Sequence, residues 1–172
     1  KSLCEELLRR EAAETGMTFT VVRPGYTCNR IRFFSAWRIS HWQSWTLAER
    51  LLKAKPIILH DDGMQLCTVT HTTDFAVGLA GLIGNKQAIG EVVVITSDEV
   101  LTWNQICLET ARAAGVKSPE IVQVPIEVIC EAAPIMLAKL KGDKAEHGVF
   151  DNAKIKRLVP EFQCRTSFRE GI

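Results

Sequence analysis

Several stretches of this chain combine residue types that do chemistry. Pro24-Gly25-Tyr26-Thr27-Cys28-Asn29 follows an apolar run. There Gly25 permits close backbone approach to a ligand, and the side chains of Tyr26 and Asn29 can hydrogen-bond a polyol or a carbonyl. Gly78-Leu79-Ala80-Gly81-Leu82-Ile83-Gly84 has the GxxGxxG spacing of a pyrophosphate loop. A working loop of that kind leaves a strand and opens a helix. This one lies well inside a helical pattern, so helix packing and a helix stop are the expected roles. His60, Asp61, Asp62 and His71 are metal-ligand types, but their spacing shares no helical face and Asp-Asp-Gly is a solvated turn. No metal site is expected. His71 is expected to cap a helix or to line a substrate loop. No serine–histidine–aspartate or cysteine–histidine pattern stands out. Residues 30–53 interleave Arg30, Arg32 and Arg38 with Phe33, Phe34, Trp37, Trp42 and Trp45. Such a stretch can stack nucleic-acid bases or sit at a membrane interface, but packing on a core or on a second subunit is the preferred reading.

These residues need elements to hold them, and the pattern supplies alternating strands and helices. Strands are expected at Phe19–Arg23, Ile57–Leu59, Leu66–Thr70, Val92–Thr96 and Ile121–Val124. Val92–Thr96 is continuously apolar, as in a parallel strand covered on both faces. Residues 25–30 read as a loop. Helices are expected at the start of the chain, within 31–54, from Thr73 to Gly84, from Thr102 to Ala114, over 126–141 with a break near Pro134, and after Asp151. Thr102 with Gln105, and Ser167 with Glu170, have capping-box spacing. In the first helix Leu3, Cys4, Leu7, Leu8 and Ala12 share a face, with Glu5, Glu6, Arg9 and Arg10 largely opposite. The alternation predicts an α/β fold.

Composition narrows the function classes. With 172 residues, 47% hydrophobic and 24% charged, the chain has material for one core. A net charge of +1 gives no field to recruit nucleic acid or an anionic membrane. No apolar run is long enough to span a bilayer and no leader is expected at the start. The six cysteines are scattered with no CxxC pair, which predicts free thiols and a cytoplasmic setting.

Four segments, in order and in register, resemble the extended short-chain dehydrogenase/reductase family, of the NAD-dependent epimerase/dehydratase type. Lys1-Ser2-Leu3-Cys4-Glu5 resembles the end of its Tyr-x-x-x-Lys helix. Phe19-Thr20-Val21-Val22-Arg23-Pro24 resembles its strand ending in Val-Arg-Pro. Thr70-His71-Thr72-Thr73-Asp74-Phe75-Ala76 resembles its His-Val-x-Asp helix start, and Gly90–Asp98 with Thr102 a later strand-to-helix joint. The resemblance runs over nearly the whole chain and implies one partial domain, residues 1–172. That domain is the C-terminal part of a Rossmann-like doubly wound sheet with the smaller substrate-binding subdomain, the N-terminal cofactor-binding core being absent. It implies NAD or NADP as cofactor, touched by Lys1, Pro24, Gly25 and Tyr26. The resemblance also implies Lys1 as the catalytic residue, its charge lowering the pKa of a tyrosine that would precede residue 1. Tyr26, Asn29 and Cys67 are the expected substrate residues.

The implied substrate is a small molecule, possibly a sugar derivative, with no nucleic-acid or membrane partner and a homo-oligomeric state. The chain alone is expected to be inactive. One departure matters. Sugar-nucleotide epimerases often carry an arginine at about the position of Cys67, where it clamps a diphosphate. A nucleotide-sugar substrate is therefore less expected than the fold. The alternative is a non-catalytic relative that binds RNA or protein through the basic aromatic stretch.

Overall fold

The computed structural model describes residues 2–31 and 45–172. Lys1 and residues 32–44, with most of the basic aromatic stretch, lie outside the described residues.

The first helix, α1 (Ser2–Thr15), leads into β1 (Val21–Pro24). β1 pairs in parallel with β5 (Val92–Ile95), Val21 opposite Val92. Tyr26–Cys28, expected as loop, forms β2 because β4 (Leu66–His71) offers it a parallel ladder, Tyr26 opposite Val69. On the far side of β4 lies β6 (Val100–Thr102), antiparallel, which no alternating pattern announces. A third small sheet pairs β3 (Ile57–His60) with β7 (Ile121–Val124) in parallel.

Helices fill the crossovers. α2 (Thr46–Leu52) packs Leu47 and Leu51 against Ile57 and Leu59. α3 (Thr72–Leu82) starts where the His71 side chain accepts from the Thr73 amide. α4 (Trp103–Ala113) starts at the Thr102–Gln105 capping box. α5 (Ile126–Ala132) ends before Pro134. A short α6 (Leu137–Lys139) runs into a π-helical turn, Leu140–Lys144, the helix break expected near Pro134 thus spreading over several residues. α7 (Ala153–Leu158) follows Asp151, whose carboxylate accepts from the Ala153 amide. α8 (Phe168–Gly171) carries the second capping box, Ser167 with Glu170.

The GxxGxxG stretch is helical packing. A Cβ on Gly78 would meet the Phe162 ring at 2.9 Å, and one on Gly81 would meet Val159 at 2.3 Å. These glycines let α3 lie against the core of Ile95, Val159 and Phe162.

Two expectations about burial need correction. Leu3 and Leu7 of α1 are 76% and 50% exposed, and α1 buries none of its residues. Glu5 turns inward instead, its carboxylate taking two hydrogen bonds from the Arg23 guanidinium at 2.9 and 2.7 Å. β5 is buried at Val93 and Ile95 but only half-buried at Val92 and Val94. On the apolar side of α1 Leu3, Cys4 and Leu7 are exposed while Leu8 and Ala12 are half-buried, and among the described residues β1 is hydrogen-bonded only to β5. No helix among the described residues is long and apolar enough to cross a membrane.

Candidate functional site

The carboxyl ends of β1 and β5 lie side by side, the position where open α/β sheets place ligands. Pro24 is exposed there. The Gly25 amide donates to the Ile95 carbonyl at 3.1 Å. A Cβ on Gly25 would stand 2.9 Å from Thr96 Oγ1, so the close approach that needs glycine is to Thr96. Thr96 Oγ1 in turn bonds Thr68 Oγ1 at 2.7 Å, locking the end of β5 to β4.

Tyr26 points from β2 into a cluster that joins distant segments. Its hydroxyl donates to Asp143 Oδ1. Its ring meets Trp103 edge to face, centroids 6.2 Å apart. The Lys144 ammonium, itself 8% exposed, sits 5.1 Å from the Tyr26 ring centroid and 5.7 Å from that of Trp103, and donates to Asp143 Oδ2. Burial first, then the hydrogen bond and charge of Asp143, push the Tyr26 pKa well above its usual value. The phenol therefore stays protonated through the neutral range.

Cys67 lies beneath this cluster, 1% exposed and bridged to Gly148. The Gly148 amide donates to the Leu66 carbonyl at 2.7 Å, and the Gly148 carbonyl accepts from the Thr68 amide at 3.2 Å. Burial pushes the Cys67 thiol up to about 12, against an opposing pull from the Lys144 charge. It is a packed thiol, not a nucleophile. Asn29 stands apart. Its Oδ1 accepts from the Ile31 amide at 2.9 Å and its Nδ2 reaches Thr72 Oγ1 at 3.4 Å. Of the expected residues, Tyr26 and Cys67 thus share one core, Pro24 and Gly25 share the strand ends, Asn29 lies at the start of α3, and Lys1 is outside the described residues.

Four members of the cluster were not expected as site residues: Asp143, Lys144, Trp103 and His60. The local signal for the first two is slight, an adjacent acid and base just after Gly142 interrupts a helical pattern. His60 is fully buried and packs edge to face on Trp103, centroids 5.7 Å apart. Its Nε2 donates to the Lys144 carbonyl at 3.0 Å, and its Nδ1 has no hydrogen-bond partner among the described residues. Among the described residues no group of three His, Cys, Asp or Glu side chains is placed to hold a metal. Asp61 instead accepts from the Ile126 amide and Asp62 from the Met64 amide. His71 caps α3, and Asp74 is buried and accepts from the Thr166 amide at 3.0 Å.

His60 makes the fold sensitive to acid. Burial, the largest influence, holds its pKa below the ordinary value, against the hydrogen bond to Lys144. As pH falls below about 6.5 the unfolded chain binds a proton that the folded imidazole refuses, so stability falls until the lowered folded pKa is reached. His60→Gln keeps a donor for the Lys144 carbonyl and removes the titration. Urea midpoints measured from neutral pH down to about pH 5 should fall less steeply in H60Q than in the parent protein. Equal slopes would refute a role for His60.

No protein-family model matches the chain. It is 30% identical over 113 residues to 2'-dehydrokanamycin reductase of Streptomyces kanamyceticus, which is 64% of this chain and 31% of that protein. It is 26% identical over 107 residues to the chloroplast stem-loop binding protein of 41 kDa b of Arabidopsis thaliana, 62% of this chain and 26% of that protein. Among solved structures, it superposes on UDP-glucose 4-epimerase of Thermotoga maritima with a TM-score of 0.74 at 19% identity, covering 99% of this chain and 48% of that one. The UDP-glucuronic acid 4-epimerase of Bacillus cereus in complex with NAD gives a TM-score of 0.72 at 19% identity, covering 97% and 46%. The chain spans about half the length of these structures, and its matches span less than a third of the curated relatives. Its fold is that of the C-terminal half of the extended short-chain dehydrogenase/reductase epimerases.

Proposed function

We propose that the chain is the substrate-shaping half of an NAD(P)-dependent epimerase, dehydratase or reductase that acts on a sugar-like hydroxyl or carbonyl compound. The observation that carries this is the side-by-side carboxyl ends of β1 and β5, with Pro24 exposed at the end of β1 and half-buried Tyr26 two residues on. Pro24 is exposed at the end of β1, and Gly25, packed against Thr96, holds that end against β5, so a cofactor would approach over Pro24. Lys1, Pro24, Gly25 and Tyr26 would hold NAD or NADP there. When bound, the nicotinamide would exchange a hydride with substrate carbon.

The chain's own residues contribute positioning. The Tyr26 hydroxyl donates its proton to Asp143, which fixes the direction of the phenol beside the strand ends. Its raised pKa makes it an orienting group rather than a base. Asn29, tied to the start of α3, would bound the substrate loop, and Cys67 would support Tyr26 from beneath. The structures of UDP-glucose and UDP-glucuronic acid 4-epimerases and the resemblance to a dehydrokanamycin reductase support a sugar-modifying reading, with a homo-oligomer as the proposed assembly.

The similarity to a chloroplast stem-loop binding protein favours a second reading, an RNA-binding relative of the same fold. One pair of measurements separates them. NADH fluorescence titration of the full-length protein should saturate, and the 172-residue chain alone should show no saturable signal. A salt-dependent mobility shift with single-stranded RNA, lost on Arg38→Ala and Trp42→Ala, together with no NADH binding by the full-length protein, would replace the enzyme by the RNA reading.

A further inference from the structure

The resemblance places an arginine near position 67, where a diphosphate would be clamped. Cys67 stands there, and the backbone of Gly148 closes over it. A Cβ on Gly148 would make ordinary van der Waals contact, 3.5 Å from the Tyr26 ring and 3.9 Å from Cys67 Cβ, so the three residues are close neighbours. Among the described residues, the cation that faces Tyr26 and Trp103 is Lys144, far from position 67 in the chain.

That ammonium is already satisfied. It donates to Asp143 Oδ2 and faces two aromatic rings, with 8% of the residue exposed. Asp143 is equally committed, its other oxygen accepting from Tyr26. Other charged side chains of the described residues have partners as well. Lys141 pairs with Glu127 at 3.5 Å, and Asp61 and Asp62 accept backbone amides. His60, beneath Trp103, is neutral. An incoming phosphate would have to draw Lys144 away from a carboxylate and two π faces, and would leave Asp143 uncompensated beside it.

We propose that the Asp143–Lys144 pair replaces a phosphate clamp by an internal, electrically neutral wall. The substrate that meets Tyr26 is then an uncharged polyhydroxy or carbonyl compound rather than a nucleoside diphosphate sugar. This rests on the enzyme reading above and names the substrate class of that same site.

The test uses full-length protein loaded with NAD and titrated calorimetrically with UDP at low and high salt. The parent protein should give no saturable heat up to about 1 mM UDP. Asp143→Asn leaves Lys144 as an uncompensated cation, and UDP affinity should rise at least about tenfold, weaken with salt, and vanish again in the Asp143→Asn, Lys144→Met double variant. UDP binding by the parent protein that is lost in Lys144→Met would overturn the proposal and make Lys144 the phosphate anchor. So would a folded Asp143→Asn, checked by its melting transition, with no gain in UDP affinity. The Lys144→Met arm needs no Asp143 variant, so the proposal stays open to refutation if Asp143→Asn misfolds. NADH titration of the same preparations reads the cofactor separately, so failure of the enzyme reading is distinguishable from failure of the clamp argument.

Discussion

Trp103→Ala is expected to cost about 3–5 kcal/mol of stability, the range for emptying a buried aromatic site. Trp103 is 2% exposed and stands at the first turn of α4, where the Thr102 cap fixes its direction. It packs with Cys67, Val69, Leu101, Ile106 and Phe168. It also touches Tyr26 and His60 edge to face and offers its π face to Lys144. Truncation therefore opens a cavity and strips one wall from a buried cation at the same time. Trp103→Phe keeps a smaller ring and should cost only about 1–2 kcal/mol. Urea unfolding of both variants at neutral pH decides the matter. Equal losses for the two would mean that volume and ring contact at this position do not hold the cluster.

The residues around Trp103 show where sequence reading succeeds and where it stops. α4 was legible because its start is written locally, in a threonine and a glutamine three residues apart, and both capping hydrogen bonds form. The GxxGxxG segment was legible as packing because of its context, inside a helical pattern rather than after a strand. Tyr26 stands out in the sequence from a motif, and the structure places it in a buried cluster. Its partners were not, because Asp143 lies 117 residues away and no local pattern encodes that contact. β2 was invisible for the same reason. Three residues carry no periodicity, and only the ladder offered by β4 makes them a strand. β6 is equally short and takes its identity from Leu66–Thr68. In α1 the amphipathic pattern encodes a helix, but a pattern cannot say which side the rest of the fold will cover. Arg23 draws Glu5 inward, and Leu3 and Leu7 face out.

That outward face sets the second large effect. The 172-residue chain by itself should associate as its concentration rises. Leu3 and Leu7 share one exposed side of α1, and the outer edge of β1 carries unpaired backbone groups among the described residues. Half-buried Val22, Val92 and Val94 lie on the paired strands next to it. An apolar helix face beside an open parallel edge is a surface that water covers poorly, and full burial of each leucine is worth roughly 1.5–3 kcal/mol. A second copy meeting the same surface gains that burial twice in a two-fold dimer. Leu3→Lys with Leu7→Lys removes the gain and adds like charges across the contact. Sedimentation should show the parent chain shifting to larger species across a concentration series, while the double variant stays monomeric at concentrations at least about tenfold higher. Thermal melts of the parent chain should shift upward with concentration, as expected when association is coupled to folding. A sharp, concentration-independent melt of a monomer at high temperature would mean that β1 and α1 need no further cover, and the argument from their exposed residues would fail.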